Sequence, residues 1–250
     1  MALLRPPIVT WHGPATRKRR RPVPQSYMTP TVLGDAEVTA RVDARHWRVL
    51  LGRLHASFDT GDFAAGLQLV QRVAAAAEDA GHHPDVDLRY PAVHIALFSH
   101  DANGLTERDV ALASRISALA DELGVVGAPG RVQELEVAVD ALDIGAVRPF
   151  WRAVLGYEDE PPPAAEASPA LRDPAGRSPS VWFQQLDAPR PQRNRVHLDV
   201  TVPHDVAQER VRAALAAGGR LVRDSAAPAF WVLSDPEGNE VCVCTWQGRA

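Results

Sequence analysis

Histidine is concentrated in one short stretch of this 250-residue chain. Four of the nine histidines, His82, His83, His94 and His100, lie within residues 81–109. Imidazole changes protonation near pH 6.5, so these side chains can donate or accept a proton at neutral pH. A zinc site is the competing interpretation, but adjacent histidines are awkward joint ligands and no cysteine lies nearby. The stretch is therefore predicted to carry acid-base chemistry.

A helix is predicted immediately before the histidine pair. The apolar residues expected to face the core recur at alternating steps of four and three: Phe63, Leu67, Val70, Ala74 and Ala77. Gly81 favours a left-handed stop, and Pro84 prevents the helix from continuing. His82 and His83 are thus expected just past a helix C-terminus, fixed in direction and yet accessible.

Period-two patterns follow the histidine pair. They predict two antiparallel strands, residues 86–90 and 93–97, with a turn near Tyr90-Pro91. After a further turn, Thr106 is the expected N-cap of the next helix. Asp109 stands at the capping-box position, so its simplest role is to support the start of that helix.

The residues before the helix complete one layered domain. A short helix is predicted over 33–44 and a hairpin over 46–58 that turns at Gly52. Two hairpins and three helices predict an α+β fold, an antiparallel sheet covered by helices on one face.

Residues 30–125 resemble the pterin-4a-carbinolamine dehydratases (4a-hydroxytetrahydrobiopterin dehydratases). The string His82-His83-Pro84, a fifteen-residue gap, His100 and then GLTERD carry the resemblance. The preceding LHASFDTGDFAAGLQLVQRVAAAAEDAG also resembles that family's approach to its histidine pair. The resemblance implies the same α+β fold and a pterin substrate, and it calls for no cofactor.

The resemblance also assigns site residues. It implies that the catalytic groups are His82, His83, His100 and Asp109, with Asp109 orienting one imidazole. The implied substrate-binding residues are His82, His83, Pro84, Ser99, His100, Asp101 and Ala102. The sequence does not decide which imidazole is acid and which is base; we take His83 as the essential proton-transfer group. His94 is out of phase with the apolar residues of its strand and is expected to be structural or solvent-facing.

The second half of the chain shows an internal repeat. Strand-helix-strands patterns begin at Val132 and again at Arg195, and residues 158–180, with six prolines, are predicted to be a loop. The Phe150-Trp151 pair and the Leu155-Gly156 helix end resemble the vicinal oxygen chelate, or glyoxalase-like, superfamily. The resemblance implies a paired βαβββ domain.

That superfamily places metal ligands at inward strand positions. Glu136 and His197 occupy two of these positions, Gln184 is a possible third ligand, and Cys242 stands where an acidic residue is usual. Two firm oxygen or nitrogen donors leave most of an ion's coordination to water, although zinc accepts thiolate. We therefore expect no metal in this domain, and treat these four residues as weak candidates only.

The composition indicates which segments are folded and which kinds of partner and compartment to expect. Residues 1–27 carry five prolines, six basic residues and no acid, which predicts a disordered basic tail. Met28 leaves two interpretations open, a natural start at that residue or a genuine extension before it. The rest of the chain is acidic, so nucleic-acid binding is not expected. No apolar run is long enough to span a membrane, and Cys242 and Cys244 are poorly placed for a disulfide, so we expect a cytoplasmic protein.

The predicted organisation has two folded domains. Residues 28–125 form the dehydratase-like domain, 126–131 a linker and 132–250 the glyoxalase-like domain. We expect removal of water from 4a-hydroxytetrahydrobiopterin by histidine acid-base catalysis, a homo-oligomer, and a C-terminal module that binds an unknown small molecule. The alternatives are a non-catalytic pterin-binding or protein-interaction role, and a metal-dependent glyoxalase or dioxygenase activity of the second domain.

Overall fold

The computed structural model describes residues 30–160, 170–189 and 198–248. The predicted basic tail, residues 1–27, and the metal-ligand candidate His197 lie outside the described residues. Within them, no helix is both long enough and apolar enough to cross a membrane.

The N-terminal half is an antiparallel sheet with three helices. Its elements are α1 (Asp35–Arg41), β1 (Trp47–Leu50), β2 (Arg53–Asp59), α2 (Phe63–Ala80), β3 (Asp85–Arg89), β4 (Ala92–Leu97), α3 (Glu107–Leu123) and β5 (Val126–Gly127). The strands lie in the order β1-β2-β4-β3, with every pair antiparallel. One apolar core joins alternate residues of β2 and β4 to all three helices, so the helices cover one face. The predicted α+β fold is confirmed.

Local signals set the ends of these elements where the sequence predicts them. Gly81 ends α2 with a φ of 58°, a left-handed value. Thr106 caps α3, and its capping box with Asp109 is complete. The first hairpin turns at Leu51-Gly52, with positive φ at both residues.

The prediction for the buried face of α2 was right for Ala77, which is buried, but wrong for Phe63, Leu67 and Ala74. Phe63 and Leu67 are 50% and 43% exposed, while the buried residues are Gly66, Leu69, Val73, Ala76 and Ala77. The helix is apolar on more than one side, so two different sets of its residues have the spacing of a buried face. A Cβ on Gly66 would come within 2.7 Å of Leu88 Cδ1, so this glycine lets the helix approach the sheet closely.

The segment predicted as the linker packs on the N-terminal sheet. β5 pairs with the end of β2, and Ala128 donates its N–H to Ser57 O at 2.7 Å. A 3-10 turn, Pro129–Arg131, follows, and Arg131 pairs with Asp59 at 3.1 Å. The division of the chain at this segment stays a prediction.

The C-terminal half contains the βαβββ unit twice. The first unit comprises β6 (Glu136–Ala141), α4 (Ile144–Leu155), β7 (Glu158–Asp159), β8 (Ala170–Arg172) and β9 (Ser180–Gln185). The second comprises β10 (Leu198–Thr201), α5 (Ala207–Ala216), β11 (Arg220–Arg223), β12 (Phe230–Ser234) and β13 (Glu240–Cys244). Their sheets have the matching orders β6-β9-β8-β7 and β10-β13-β12-β11. In each unit the first strand of the chain pairs in parallel with the last, β6 with β9 and β10 with β13.

The paired βαβββ prediction is therefore confirmed, with one correction. The region predicted as a loop, 158–180, includes the short strands β7 and β8. They pair with each other, and β8 also pairs with β9. Strands of two or three residues are too short to show a period-two pattern, and the surrounding prolines favoured a loop.

Candidate active site

The C-terminus of α2 fixes the first histidine. After the left-handed turn at Gly81, His82 donates its backbone N–H to Ala77 O at 3.1 Å, an additional bond that closes the last turn. The His82 side chain is turned inward and only 7% exposed. The sequence predicted an accessible pair here, and for His82 the structure places most of the ring inside.

Asp109 is the centre of the buried network beside this ring. It is fully buried, and its Oδ2 accepts from Thr106 N at 2.7 Å, Ser99 Oγ at 2.7 Å and Thr106 Oγ1 at 3.1 Å. Its Oδ1 lies 2.7 Å from His82 Nε2. The same carboxylate therefore caps α3 and holds an imidazole that is 27 residues away in sequence.

This contact determines which imidazole nitrogen can react. A carboxylate that receives three hydrogen bonds on its other oxygen is an acceptor, so His82 Nε2 carries the hydrogen and donates it. Nδ1 is then the nitrogen available to take a proton or, once protonated, to give one back.

A cavity of about 270 Å³ opens beside His82. It is lined by Ala80, His82, Arg108, Ala111, Leu112 and Arg115. The two arginines were not predicted as site residues. The available signal was their spacing, because residues 108, 111, 112 and 115 recur on one face of α3.

The other predicted histidines make different contacts. His83 is exposed, with Nε2 3.2 Å from Glu78 Oε1. His100 is also exposed, and its ring lies edge-on to Phe98 at 5.3 Å. His94 is half-buried on β4 and out of phase with the buried residues of that strand, as predicted.

The remaining predicted binding residues surround the network. Ser99 is buried in it, and Ala102 donates its N–H to Ser99 O at 3.1 Å in the following turn. Asp101 forms an ion pair with Arg108 that holds the pKa of Asp101 below its usual value. Pro84 is half-buried directly after His83.

The metal-ligand candidates of the second domain do not assemble within the described residues. Glu136 lies opposite Ser180 on β9, whereas Gln184 lies opposite Asp140. Four residues along paired strands separate Glu136 from Gln184 by about 13 Å, too far for one ion. The described part of the chain contains no cluster of three or more histidine, cysteine or acidic side chains suited to a metal.

Cys242 is a poor ligand in this environment. It is buried on β13, and burial together with Asp199 raises the pKa of its thiol to about 11. The thiolate, not the thiol, is the metal ligand, so a metal would have to displace the thiol proton here. Among the described residues the set does not fit a metal, and the expectation of a metal-free domain stays a prediction.

Comparisons with known proteins identify both halves of the chain. A model of pterin 4 alpha carbinolamine dehydratase matches residues 31–119, and a model of a glyoxalase-like domain matches residues 136–244. A protein of Acidobacterium capsulatum named "Putative pterin-4-alpha-carbinolamine dehydratase" is 48% identical over 73 residues, which cover 29% of this chain and 79% of that protein. A protein of the same name from Nocardia farcinica is 43% identical over 94 residues, which cover 37% of this chain and 99% of that protein.

Solved structures also match each half. A transcriptional coactivator/pterin dehydratase from Brucella melitensis is 27% identical, with 36% of this chain and 99% of that chain covered and a TM-score of 0.34. A glyoxalase/bleomycin resistance protein/dioxygenase family enzyme from Burkholderia phytofirmans is 18% identical. The match covers 44% of this chain and 95% of that chain, with a TM-score of 0.34.

The two family models thus define a pterin dehydratase domain followed by a glyoxalase-like domain. The chain belongs to the pterin-4-alpha-carbinolamine dehydratase family. Both predicted resemblances are confirmed.

Proposed function

We propose that the first domain removes water from a 4a-hydroxytetrahydropterin and releases the quinonoid dihydropterin. The observation that carries the proposal is the 2.7 Å contact between His82 Nε2 and the fully buried Asp109 at the edge of a cavity. A buried carboxylate that orients an imidazole is the arrangement that proton transfer by histidine requires.

The reaction needs two proton transfers and no change of redox state. The N5 lone pair forms a double bond to C4a as the C4a–O bond breaks, and the departing hydroxide takes a proton to become water. The proton on N5 then passes to a base. An imidazole near neutral pKa serves in either direction, so the reaction calls on no cofactor from the protein.

His83 and His100 are the proposed partners of His82. Both are exposed beside the buried network, so a substrate can reach them without a rearrangement of the core. We retain His83 as the essential proton-transfer group, with Pro84, Ser99, Asp101 and Ala102 forming the wall of the site.

The second domain, from residue 132 onward, is proposed to bind a small molecule without a metal. Segment 126–131 is the proposed connection between the two domains, and the protein is proposed to act as a homo-oligomer.

Alanine substitution of His83 and His100 tests the catalytic assignment. Each is expected to lower carbinolamine dehydration by about 10²- to 10⁴-fold, the usual contribution of general acid-base catalysis. Circular dichroism should show an intact fold, because exposed histidines contribute little packing. His94→Ala is the matched control and should retain activity; near wild-type rates in both test variants would show that the assignment is wrong.

A further inference from the structure

The cavity beside His82 has a charged end that the dehydration chemistry does not use. Arg108 and Arg115 both line it, separated by the apolar residues Ala111 and Leu112 on the same face of α3. Seven residues of helix place the two arginines about 10 Å apart along the axis. Arg108 is next to Asp109, whereas Arg115 is two turns farther from the His82–Asp109 pair.

Both guanidinium groups have donors to spare. Arg115 Nη2 donates to Asp79 Oδ2 at 2.9 Å, and Arg108 Nη2 donates to Asp101 Oδ1. A guanidinium carries five N–H donors, so one such bond leaves most of them available. Within the described residues, Arg108 Nε is buried and has no hydrogen-bond partner.

The carboxylates paired with these arginines lie toward solvent. Asp79 and Asp101 are 67% and 59% exposed, against 49% and 37% for Arg115 and Arg108. Neither carboxylate lines the cavity, whereas both arginines do. Exposed ion pairs of this kind are weak and screened by salt, so an anion within the cavity competes with them effectively.

We infer that Arg115 selects pterins whose side chain ends in an anionic group, a phosphate ester or a carboxylate. The inference rests on the proposed function, because it places the reacting ring at His82. A side chain on that ring then runs along Ala111 and Leu112 and brings its end to Arg115. Guanidinium groups bind phosphate and carboxylate through paired, charge-assisted hydrogen bonds.

Binding of stable oxidised pterins to the full chain tests the inference. The probes are neopterin with its neutral side chain, neopterin monophosphate and pteroic acid, followed by the quenching of pterin fluorescence. Wild type is expected to bind at least one anionic probe about tenfold more tightly than neopterin, as expected for one charge-assisted contact. The preference should shrink as salt is raised. The two anionic probes distinguish a phosphate from a carboxylate ligand.

Arg115→Gln and Arg72→Gln form a matched pair of variants. Arg72 pairs with Glu122 across the same two helices, also at 2.9 Å and with similar exposure, but it does not line the His82 cavity. Arg115→Gln should reduce the preference for the anionic probe about tenfold, and Arg72→Gln should leave it unchanged. Equal loss in both variants would assign the effect to helix packing and overturn the inference.

A dehydratase assay with a neutral 4a-hydroxytetrahydropterin separates this inference from the proposed function. Turnover of the neutral substrate without any preference for anionic probes would refute the role of Arg115 and leave the dehydratase proposal standing. Absence of turnover with every pterin would refute the dehydratase proposal itself. Failure of all three probes to bind would overturn the inference as well.

Discussion

Asp109 performs two tasks with one side chain. Its Oδ2 completes the capping box of α3, and its Oδ1 orients His82. The capping role explains why an acidic residue is expected at this position, and the contact with His82 is a second use of the same carboxylate. The two tasks together require two acceptor oxygens, which a carboxylate has and an amide lacks.

Asp109→Asn should therefore lower dehydration by about 10²- to 10⁴-fold, because an amide can present N–H to His82 and favour the wrong tautomer. Steady-state kinetics would measure the loss. Asp62→Asn is the control, since Asp62 caps α2 by accepting from Ala65 N at 2.8 Å. A similar loss of activity in both variants would show that Asp109 acts only by capping its helix.

His46 makes stability depend on pH. The ring is buried, with Nδ1 2.9 Å from Ser117 Oγ, and Trp47 Nε1 donates to the same hydroxyl at 3.0 Å. A hydroxyl that accepts from Trp47 can still donate its own hydrogen to an unprotonated Nδ1 of His46. Burial lowers the pKa of His46, although Asp43 and Asp121 oppose that shift.

The sign of the effect follows from linkage. The unfolded chain protonates this histidine near pH 6.5, whereas the folded chain resists protonation until lower pH. The free energy of unfolding should fall as the pH drops from 7.5 to 5.5, above the range in which ordinary carboxylates titrate. Burial also lowers the pKa of His55, which adds to the fall.

Urea unfolding at both pH values would test this prediction. His46→Gln should show a smaller loss of stability between pH 7.5 and pH 5.5 than wild type. His83→Gln, which alters an exposed ring, should lose as much stability between these two pH values as wild type does. If the His46 variant lost as much stability as wild type over this pH range, the pH dependence would come from other groups.

At the scale of elements, the end of α2 decides where the first histidine points. Gly81 has a left-handed backbone, and no atom lies within 4 Å of the position a Cβ would take. Any cost of Gly81→Ala is therefore backbone strain and not a clash.

Gly81→Ala should destabilise the domain by about 1 kcal/mol or more and also reduce activity, because the strained turn holds His82. Thermal unfolding and the dehydratase assay would measure the two effects. Gly130→Ala is the control, because Gly130 has equally open space and no left-handed φ. Equal stability of the two variants would contradict a strained turn at Gly81.

At the scale of the molecule, the chain has two separate main cores. In the described residues, the core of the first half runs from Val38 to Val125, and that of the second from Val139 to Val243, with no shared side chain. The connecting segment nevertheless belongs to the first sheet through β5. A Cβ on Gly127 would lie 2.3 Å from His46 Cδ2 and 2.4 Å from the Arg45 carbonyl oxygen.

Calorimetry of the full chain should accordingly show two transitions. Gly127→Ala is expected to lower the midpoint of one transition by several degrees, because the added methyl group displaces β5 from β2. The second transition should not move, and Gly130→Ala should shift neither. A joint shift of both transitions would show that the two halves unfold as one unit.

The sequence by itself determined the features that depend on a few neighbouring residues. Gly81 marked a helix end, Thr106 and Asp109 a capping box, and Gly52 a hairpin turn. Such signals act within about one turn of chain, where backbone conformation and local hydrogen bonds settle the outcome. The family resemblances rested on ordered strings of residues, and both were confirmed.

Only the tertiary structure decided which faces meet. Spacing placed Phe63 and Leu67 in the core, yet the buried stripe of α2 is rotated toward Gly66, which lets the helix approach Leu88. The contact of Asp109 with His82, and the meeting of Arg108 and Arg115 with the end of α2, join residues on separate helices. A one-dimensional pattern fixes the conformation of each segment, but the partner of each side chain depends on which surfaces pack closely enough to exclude water.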